Sequence, residues 1–273
     1  MSDDDRWILV PETKDGKRQN QNWYYYFEPI EQSTYDLTGK ITENFRIGHM
    51  RDENGKIIPF QESVFTDYPK DKFNNLHDYK RYLLKKIYKP KEWVKNVISN
   101  KIKNLELPEK YYAIHVRRTD KIGSEGHFHK LDEYIKPIYY KWMSTNRNDP
   151  TKFNTKPTIY ISTDENCESI FNELKTSVYY RFFDFKMDTS ENRYSGGYVP
   201  RARHLSSSEV EEEALTAFKN IEILINSEYM VGSRESFFFI IAILVGNNEY
   251  YSIAENYSCP MRDGLFPTKI EIF

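Results

Sequence analysis

An α/β fold built around a parallel sheet is the fold class that this sequence predicts. From residue 111 onward, short apolar segments alternate with longer segments whose apolar residues recur at helical spacing. Strands separated by helices in this way form parallel sheets with right-handed crossovers. Open sheets of this kind bind their ligands at the carboxyl ends of the strands, so we expect the functional residues at that edge.

The N-terminal part is predicted to be irregular at first and then helical. Its first ~70 residues hold short apolar pieces between polar turns. A helix is predicted from Asn75 up to Pro90, and a second one over 91–105, because proline does not continue a helix. The apolar residues that recur at helical spacing in the first of these helices are Tyr79, Tyr82, Leu83 and Ile87.

The remainder of the chain supplies the sheet and its crossover helices. The predicted strands are 111–116, 158–162, 179–185, 228–231 and 249–253. The predicted helices are 131–146, 165–176, 209–226 and 235–245. The helix over 209–226 is amphipathic, and 235–245 is apolar enough to be a buried helix.

Composition excludes several classes of protein. The chain has 273 residues and a formal net charge of −2, which argues against a general nucleic-acid binder, since those are usually basic. No stretch approaches the roughly 20 apolar residues of a membrane-spanning helix. Cys167 and Cys259 are too few for a disulfide scaffold or a cysteine-rich zinc module. The 22 Tyr and 17 Phe are expected mostly in the core, although some could stack on carbohydrate or base rings.

The most informative stretch is 114–129, which begins in a predicted buried strand and continues into a polar loop. It reads Ile-His-Val-Arg-Arg-Thr-Asp-Lys-Ile-Gly-Ser-Glu-Gly-His-Phe-His. Charges at the end of a buried strand are costly unless they are paired. The polar residues concentrated there are His115, Arg117, Arg118, Asp120, Lys121, Glu125, His127 and His129.

These residue types suit the binding of a diphosphate. The guanidinium groups of Arg117 and Arg118 match phosphate oxygens, Lys121 adds a point charge, and Glu125 could serve as a general base. A salt-bridge network that only pins the loop is the structural alternative. The histidines of His127-Phe-His129 could bind a metal, but no third ligand follows at a recognisable spacing.

This stretch, followed by Leu131-Asp-Glu-Tyr, resembles the signature of the α1,6-fucosyltransferases, which core-fucosylate N-glycans. Weaker similarity extends from about Trp7 to about Ser252. It includes residues 159–165, which end in Thr-Asp followed by an acidic residue, and residues 224–236. The resemblance implies a two-lobed, GT-B-like glycosyltransferase whose Rossmann-like C-terminal lobe binds the nucleotide sugar. It also implies transfer of fucose from GDP-fucose to the 6-hydroxyl of the innermost GlcNAc, with inversion and without a metal or other cofactor.

The resemblance assigns roles to individual residues. Glu125 would take the proton of the acceptor hydroxyl, Lys121 would tie Glu125 to the phosphate side, and Arg117 would hold the β-phosphate as GDP leaves. His115 would contact the guanine or ribose, and Ser236 would meet a phosphate at the start of a helix. The whole implied donor-binding set is His115, Arg117, Arg118, Asp120, Asp164, Glu165, Asn220 and Ser236.

The same resemblance implies a division of the chain. Residues 1–106 would form an N-terminal lobe lining the acceptor cleft, 107–256 the GDP-fucose-binding lobe, and 257–273 a short tail similar to the end of the family's SH3-like domain. The partners would be GDP-fucose and an N-glycan or glycoprotein, and the compartment the Golgi lumen. The family's membrane anchor and coiled-coil stem have no counterpart in this sequence, so a trimmed, fragmentary or minimal divergent member is expected.

Several positions depart from the family pattern, including the following two. Asn220 stands where the family has an acidic residue that recognises guanine, and Phe237 stands where it has glutamine after the serine. Two alternatives therefore remain beside N-glycan fucosylation. One is a fucosyltransferase with another acceptor, such as a chitooligosaccharide or a protein hydroxyl. The other is a degenerate member that binds a nucleotide or glycan without turnover.

Overall fold

The computed structural model describes residues 23–28, 50–51, 57–58, 70–118, 128–190, 206–233, 236–246 and 248–253. The chain divides into two compact units. One comprises Met1–Tyr26 and Pro90–Glu255, and the other comprises Phe27–Lys89 and Asn256–Phe273. The three-part division expected from the sequence stays a prediction.

The N-terminal elements are short. Helix α1 (Trp23–Tyr26) belongs to the first unit. The second unit contains an antiparallel pair, β1 (Met50–Arg51) and β2 (Ile57–Ile58), and helix α2 (Leu76–Ile87). Asn75 caps α2 by accepting a hydrogen bond from the backbone N–H of Asp78 at 2.8 Å. The predicted helix before Pro90 is thereby confirmed.

The first unit is organised by a parallel sheet, which confirms the α/β prediction. Within the described residues its strands are β3 (Tyr112–Val116), β4 (Thr158–Thr163), β5 (Asp184–Lys186), β6 (Tyr229–Gly232) and β7 (Glu249–Ser252). Their order is β5-β4-β3-β6-β7, and each neighbouring pair is parallel. The order reverses direction between β3 and β6, and such a switch point opens a crevice at the carboxyl ends of the two strands.

Helices cover both faces of the sheet. On one face, α4 (Leu131–Asn146) and α5 (Cys167–Thr176) pack over the core residues of β3, β4 and β6. On the other face lie α6 (Ser207–Asn226) and α7 (Phe237–Val245). Helix α3 (Glu92–Lys103) packs against α6. The burial of every residue of β3 and β4 follows from this double cover.

Residues at the end of the aromatic run 23–27 contribute to the interior. Tyr26 and Phe27 are buried, and the Tyr26 ring contacts Trp93 of α3 and Phe218 of α6. The hydroxyl of Tyr25 donates a hydrogen bond to Glu211 at 2.6 Å, and burial together with that carboxylate raises the pKa of Tyr25 to about 12. Core packing is therefore the structural role of these rings.

One predicted strand is wrong in part. Residues 179–185 were expected to be a single strand, but Tyr180–Phe182 form a 3-10 turn, and β5 begins only at Asp184. Aromatic residues favour strands because they fill pleated, half-buried surfaces. Here Phe182 packs instead on Tyr139 of α4, which a turn allows, and only 184–186 pair with β4.

No helix among the described residues combines the length and the apolar character that crossing a bilayer requires.

Candidate functional site

Four of the predicted site residues lie together where β3 and β4 end. Val116 and Thr163 are in register, so Arg117 and Arg118 leave the sheet beside Asp164 and Glu165. The Oδ1 atom of Asp164 accepts a hydrogen bond from the backbone N–H of Arg118 at 3.0 Å, and its Oδ2 atom lies 3.3 Å from Arg117 Nε. One carboxylate thus connects both arginines at the carboxyl edge.

The two arginines differ in accessibility. The Arg117 side chain is 18% exposed, whereas that of Arg118 is 2% exposed. A diphosphate reaches a side chain through solvent, so Arg117 is the better placed of the two to contact it. The residue types alone predicted both arginines as a phosphate site, whereas the family resemblance assigned the β-phosphate to Arg117.

Arg118 is surrounded by carboxylates. Its Nη1 atom donates a hydrogen bond to Glu173 Oε2 at 2.6 Å and lies 3.6 Å from Glu165 Oε2. Its guanidinium also stands over the ring of Phe128, 4.7 Å from the centroid. These contacts offset the cost of burying the charge at Nη1, while the Nε atom of Arg118 is buried without a hydrogen-bond partner among the described residues.

The environment of Glu165 disfavours its charged form. Burial raises the pKa of Glu165 above its ordinary value, the negative charges of Asp164 and Glu173 add to the rise, and Arg118 offsets part of it. Perturbed carboxyl groups of this kind are enriched at functional sites.

His115 lies one residue before the end of β3, on the face covered by α7. Its Nδ1 atom is 2.9 Å from the hydroxyl oxygen of Ser162 on β4, and its ring centroid is 5.9 Å from that of Phe238. His115 pairs in register with Gly232 of β6, across the switch point of the sheet. Its implied contact with the guanine or ribose stays a prediction.

Ser236 caps α7, which starts close to the same switch point. Its hydroxyl oxygen accepts from the backbone N–H of Phe239 at 3.5 Å, and its own N–H donates to the carbonyl of Ser233 at 3.0 Å. Ser236 is buried, as are Gly232 and Ser233 before it. The helix start predicted at residue 235 thus lies two residues later, after the serine cap.

Asn220 lies in the interior, away from the cluster of arginines and carboxylates. It is buried on α6, and its Oδ1 atom accepts a hydrogen bond from the hydroxyl of Tyr160 on β4 at 2.8 Å. In this position the amide of Asn220 connects α6 to the sheet. Its assignment to guanine recognition stays a prediction.

Three predicted site residues, Asp120, Lys121 and Glu125, lie outside the described residues, as does His127. His129 is described, and its Nδ1 atom is 3.1 Å from Glu133 Oε2, one turn into α4. Across the described ranges, no three His, Cys, Asp or Glu side chains come together as a metal site. Metal-independence of the reaction stays a prediction.

Two acidic residues near these charges were not predicted from the sequence. Glu173 is the principal partner of Arg118, and Asp188 pairs with the buried Lys219 of α6 at 2.5 Å. A weak signal for Glu173 existed, because it adjoins the apolar positions Ile170 and Leu174 on the same side of α5. For Lys219, its place on the apolar side of an amphipathic helix was the available indication.

The solved structures that match this chain are distant in sequence, and the structural similarity is weak. The crystal structure of NodZ alpha-1,6-fucosyltransferase soaked with GDP-fucose is 14% identical, with a TM-score of 0.35 over 61% of this chain and 47% of NodZ. The crystal structure of POFUT1 in complex with GDP is 11% identical, with a TM-score of 0.40 over 70% of this chain and 52% of POFUT1.

Sequence comparison identifies relatives more directly. An alpha-(1,6)-fucosyltransferase of Drosophila melanogaster is 22% identical over 153 residues, which are 50% of this chain and 25% of the fly protein. The matched part thus spans about a quarter of that relative's length. The family model for alpha-(1,6)-fucosyltransferase N- and catalytic domains matches residues 4–231. Because this match covers most of the chain, the chain belongs to the alpha-(1,6)-fucosyltransferase family.

Proposed function

We propose that this protein is a fucosyltransferase that binds GDP-fucose at the carboxyl edge of its parallel sheet. The observation that carries the proposal is the placement of Arg117. Arg117 directly follows β3, beside the switch point of the sheet, and its side chain is partly exposed. The carboxylate of Asp164 contacts its Nε atom. A fixed cation at that position suits the diphosphate of a nucleotide sugar.

The charge of Arg117 would act on the leaving group. Fucosyl transfer passes through an oxocarbenium-like state while negative charge grows on the departing diphosphate. A cation that is already in place stabilises this charge without reorganisation and is worth roughly 10²–10³ in rate. Asp164 supports this role because its carboxylate contacts the Nε atom of Arg117 and so holds the guanidinium in place.

The nucleoside would extend along the switch point toward α7. His115 and Gly232 are neighbours across β3 and β6, and Ser236 begins the helix that follows β6. Buried polar residues at this edge, including Ser162 beside His115, can supply the directional hydrogen bonds that a base or ribose requires.

Glu125 would be the general base in this mechanism. A neutral acceptor hydroxyl needs its proton removed only as the new bond forms, so a carboxylate with an ordinary pKa can serve. The assignment rests on the sequence signature that contains Glu125 and Lys121, both outside the described residues.

For the acceptor, we propose the 6-hydroxyl of the innermost GlcNAc of an N-glycan, with inversion at the fucose carbon. The support is the family match over residues 4–231 together with the signature around Arg117. We further propose that the reaction needs no metal and takes place in the Golgi lumen, as the family resemblance implies.

A mass-spectrometric transfer assay tests the proposal. Purified protein and GDP-fucose are incubated, with and without EDTA, with a GlcNAc-terminated biantennary N-glycopeptide. A chitooligosaccharide and an unglycosylated peptide rich in serine and threonine are parallel acceptors. Glu125→Gln is the inactive control. We expect the mass of one deoxyhexose to be added to the glycopeptide by the wild type, with or without EDTA.

The pattern across acceptors separates the alternatives. A mass gain on the chitooligosaccharide or the peptide alone would contradict the proposed N-glycan acceptor. It would still support fucosyltransferase activity. Bound GDP with no gain on any acceptor would support a binding-only protein. Linkage analysis of the product must place the fucose on the 6-hydroxyl, and any other linkage contradicts the finer proposal.

A further inference from the structure

Phe238 lies in the first turn of α7, next to the switch point of the sheet. Helix α7 begins directly after Ser236, and the strand before it, β6, ends at Gly232. Strand β6 pairs with β3, and the order of the sheet reverses direction between these two strands. The first turn of α7 therefore borders the crevice that a switch point opens at the carboxyl edge of a sheet.

The exposure of Phe238 differs from that of the residues that follow it. Each residue from Phe239 to Leu244 is buried, and the Phe239 ring lies so close to Gly232 that a methyl group added there would clash with it. Phe238, by contrast, is only half-buried. Core packing thus accounts for Phe239 and the residues after it, whereas part of the Phe238 side chain remains accessible.

A buried histidine adjoins the Phe238 ring. The ring centroids of His115 and Phe238 are 5.9 Å apart, and the two ring planes are inclined by 56°. The Nδ1 atom of His115 is 2.9 Å from the hydroxyl oxygen of Ser162, so β4 helps to fix the orientation of the imidazole. A flat apolar ring beside fixed polar groups suits a nucleobase, because the ring can stack on the base while the polar groups form directional hydrogen bonds.

The phosphate side of the proposed donor site lies on the same stretch of chain as His115. Arg117 follows His115 by two residues, and its partly exposed guanidinium is the proposed diphosphate contact. A nucleoside diphosphate with its phosphates at Arg117 and its nucleoside directed toward α7 would bring its base to Phe238. Contact between two flat rings is favourable through dispersion and apolar burial.

We propose that Phe238 is a base-contacting residue of the donor site and that its ring stacks on the purine of GDP. This inference rests on the fucosyltransferase function proposed above. It assigns the apolar contact of the donor to α7, whereas the charged contact of the diphosphate belongs to Arg117. The two contacts act on different parts of the nucleotide, so ligands with and without a base can distinguish them.

Calorimetric titration of variants with GDP and with inorganic pyrophosphate tests the stacking contact. Phe238→Ala should raise the dissociation constant for GDP by roughly 5- to 100-fold, the loss that follows removal of an aromatic ring beneath a base. Phe238→Tyr retains the ring and should bind GDP within about threefold of the wild-type value. The dissociation constant for pyrophosphate, which has no base, should change by less than about twofold in either variant. If pyrophosphate binds too weakly to titrate, the comparison of Phe238→Ala with Phe238→Tyr decides.

Two further variants separate stacking from core packing. Phe238→Leu keeps an apolar side chain in place and should preserve folding, but it removes the aromatic face and should also weaken GDP binding. Phe182→Ala removes a half-buried ring that packs on Tyr139 just before β5, at the amino edge of the sheet, and should bind GDP as the wild type does. Urea denaturation of each variant measures any change in the free energy of unfolding separately.

The outcomes are distinguishable. Wild-type protein that neither binds GDP nor consumes GDP-fucose contradicts the proposed function, and the inference falls with it. A wild type that binds GDP, with Phe238→Ala and Phe238→Leu binding it equally well, contradicts the stacking contact alone. An equal loss of affinity for pyrophosphate and GDP, or a loss in Phe238→Tyr as large as in Phe238→Ala, also overturns it, since either would make Phe238 a support of the fold and not a contact of the base.

Discussion

At the scale of single residues, neighbouring arginines do different work. Asp164 holds the partly exposed Arg117, whereas Glu173 and Glu165 surround the buried Arg118. A run of charges that looks uniform in sequence is thus divided by burial into an accessible cation and an internal support. This arrangement disfavours the charged form of Glu165, because burial and two neighbouring carboxylates raise the pKa of that residue.

We expect Glu165→Gln to stabilise the protein at neutral pH. The raised pKa means that the folded state holds the Glu165 proton more tightly than the unfolded state does, so the charged form lowers stability above the folded pKa. The gain in free energy of unfolding should be largest near pH 7 and should vanish as the pH falls below the ordinary glutamate pKa of about 4.3. Urea denaturation across this range measures it. A variant that is less stable than the wild type at pH 7 would contradict the account.

At the scale of elements, the helix caps determine where helices begin. Helices α5 and α7 begin one residue after Asn166 and Ser236, respectively. The side-chain oxygens of these two capping residues accept hydrogen bonds from the backbone N–H groups of Glu168 and Phe239. The packing of α7 against β6 also depends on a close contact between two residues, Gly232 and Phe239. A methyl group added at Gly232 would lie 2.5 Å from the Cδ2 atom of Phe239, which is fully buried.

Gly232→Ala should therefore destabilise the protein by about 1–3 kcal/mol, the usual cost of overpacking a core. Chemical denaturation gives this value directly. Adding Phe239→Leu to Gly232→Ala should recover part of the loss, because the smaller side chain vacates the space that the new methyl group needs. Equal stability of Gly232→Ala and the wild type would show that the close approach does not constrain the helix.

The sequence predicted the helices and strands better than the contacts between them. Helix 131–146 and the buried strand at 112–116 were recognisable because apolar periodicity and length are local properties. The 3-10 turn at Tyr180–Phe182 was not, since its aromatic residues favour strands as well. Likewise, the charges after β3 and β4 indicated a site, but the contact of Arg118 with Glu173 depends on how α4 and α5 pack and has no local signal.

At the scale of the whole molecule, stability depends on buried charges outside the proposed site. Lys219 of α6 is fully buried and pairs with Asp188, which follows β5. Ser190 also donates to Asp188, through its hydroxyl at 2.5 Å and its N–H at 3.0 Å. Burial alone would raise the pKa of Asp188, but these hydrogen bonds and the charge of Lys219 outweigh it and lower the pKa.

Asp188→Asn should cost about 3 kcal/mol at pH 7, because it removes the charge that balances a buried ammonium. A carboxyl group with a lowered folded pKa contributes stability that is fully present above the ordinary aspartate pKa of about 3.9 and is lost as the pH falls through the folded pKa. The difference between variant and wild type should therefore shrink in acid. Thermal and urea unfolding at pH 3 to 7 would test this. A constant difference over the whole range would contradict a charge-based contribution.

We propose that the carboxyl edge beside Arg117 binds the diphosphate of GDP-fucose, and calorimetric titration with GDP tests this binding most directly. We expect the wild type to bind GDP without added metal. Arg117→Ala should weaken binding by about 2–5 kcal/mol, because the diphosphate charge loses its partner, whereas Glu168→Gln should bind as the wild type does. Unchanged affinity in Arg117→Ala, or no binding by the wild type, would contradict the account.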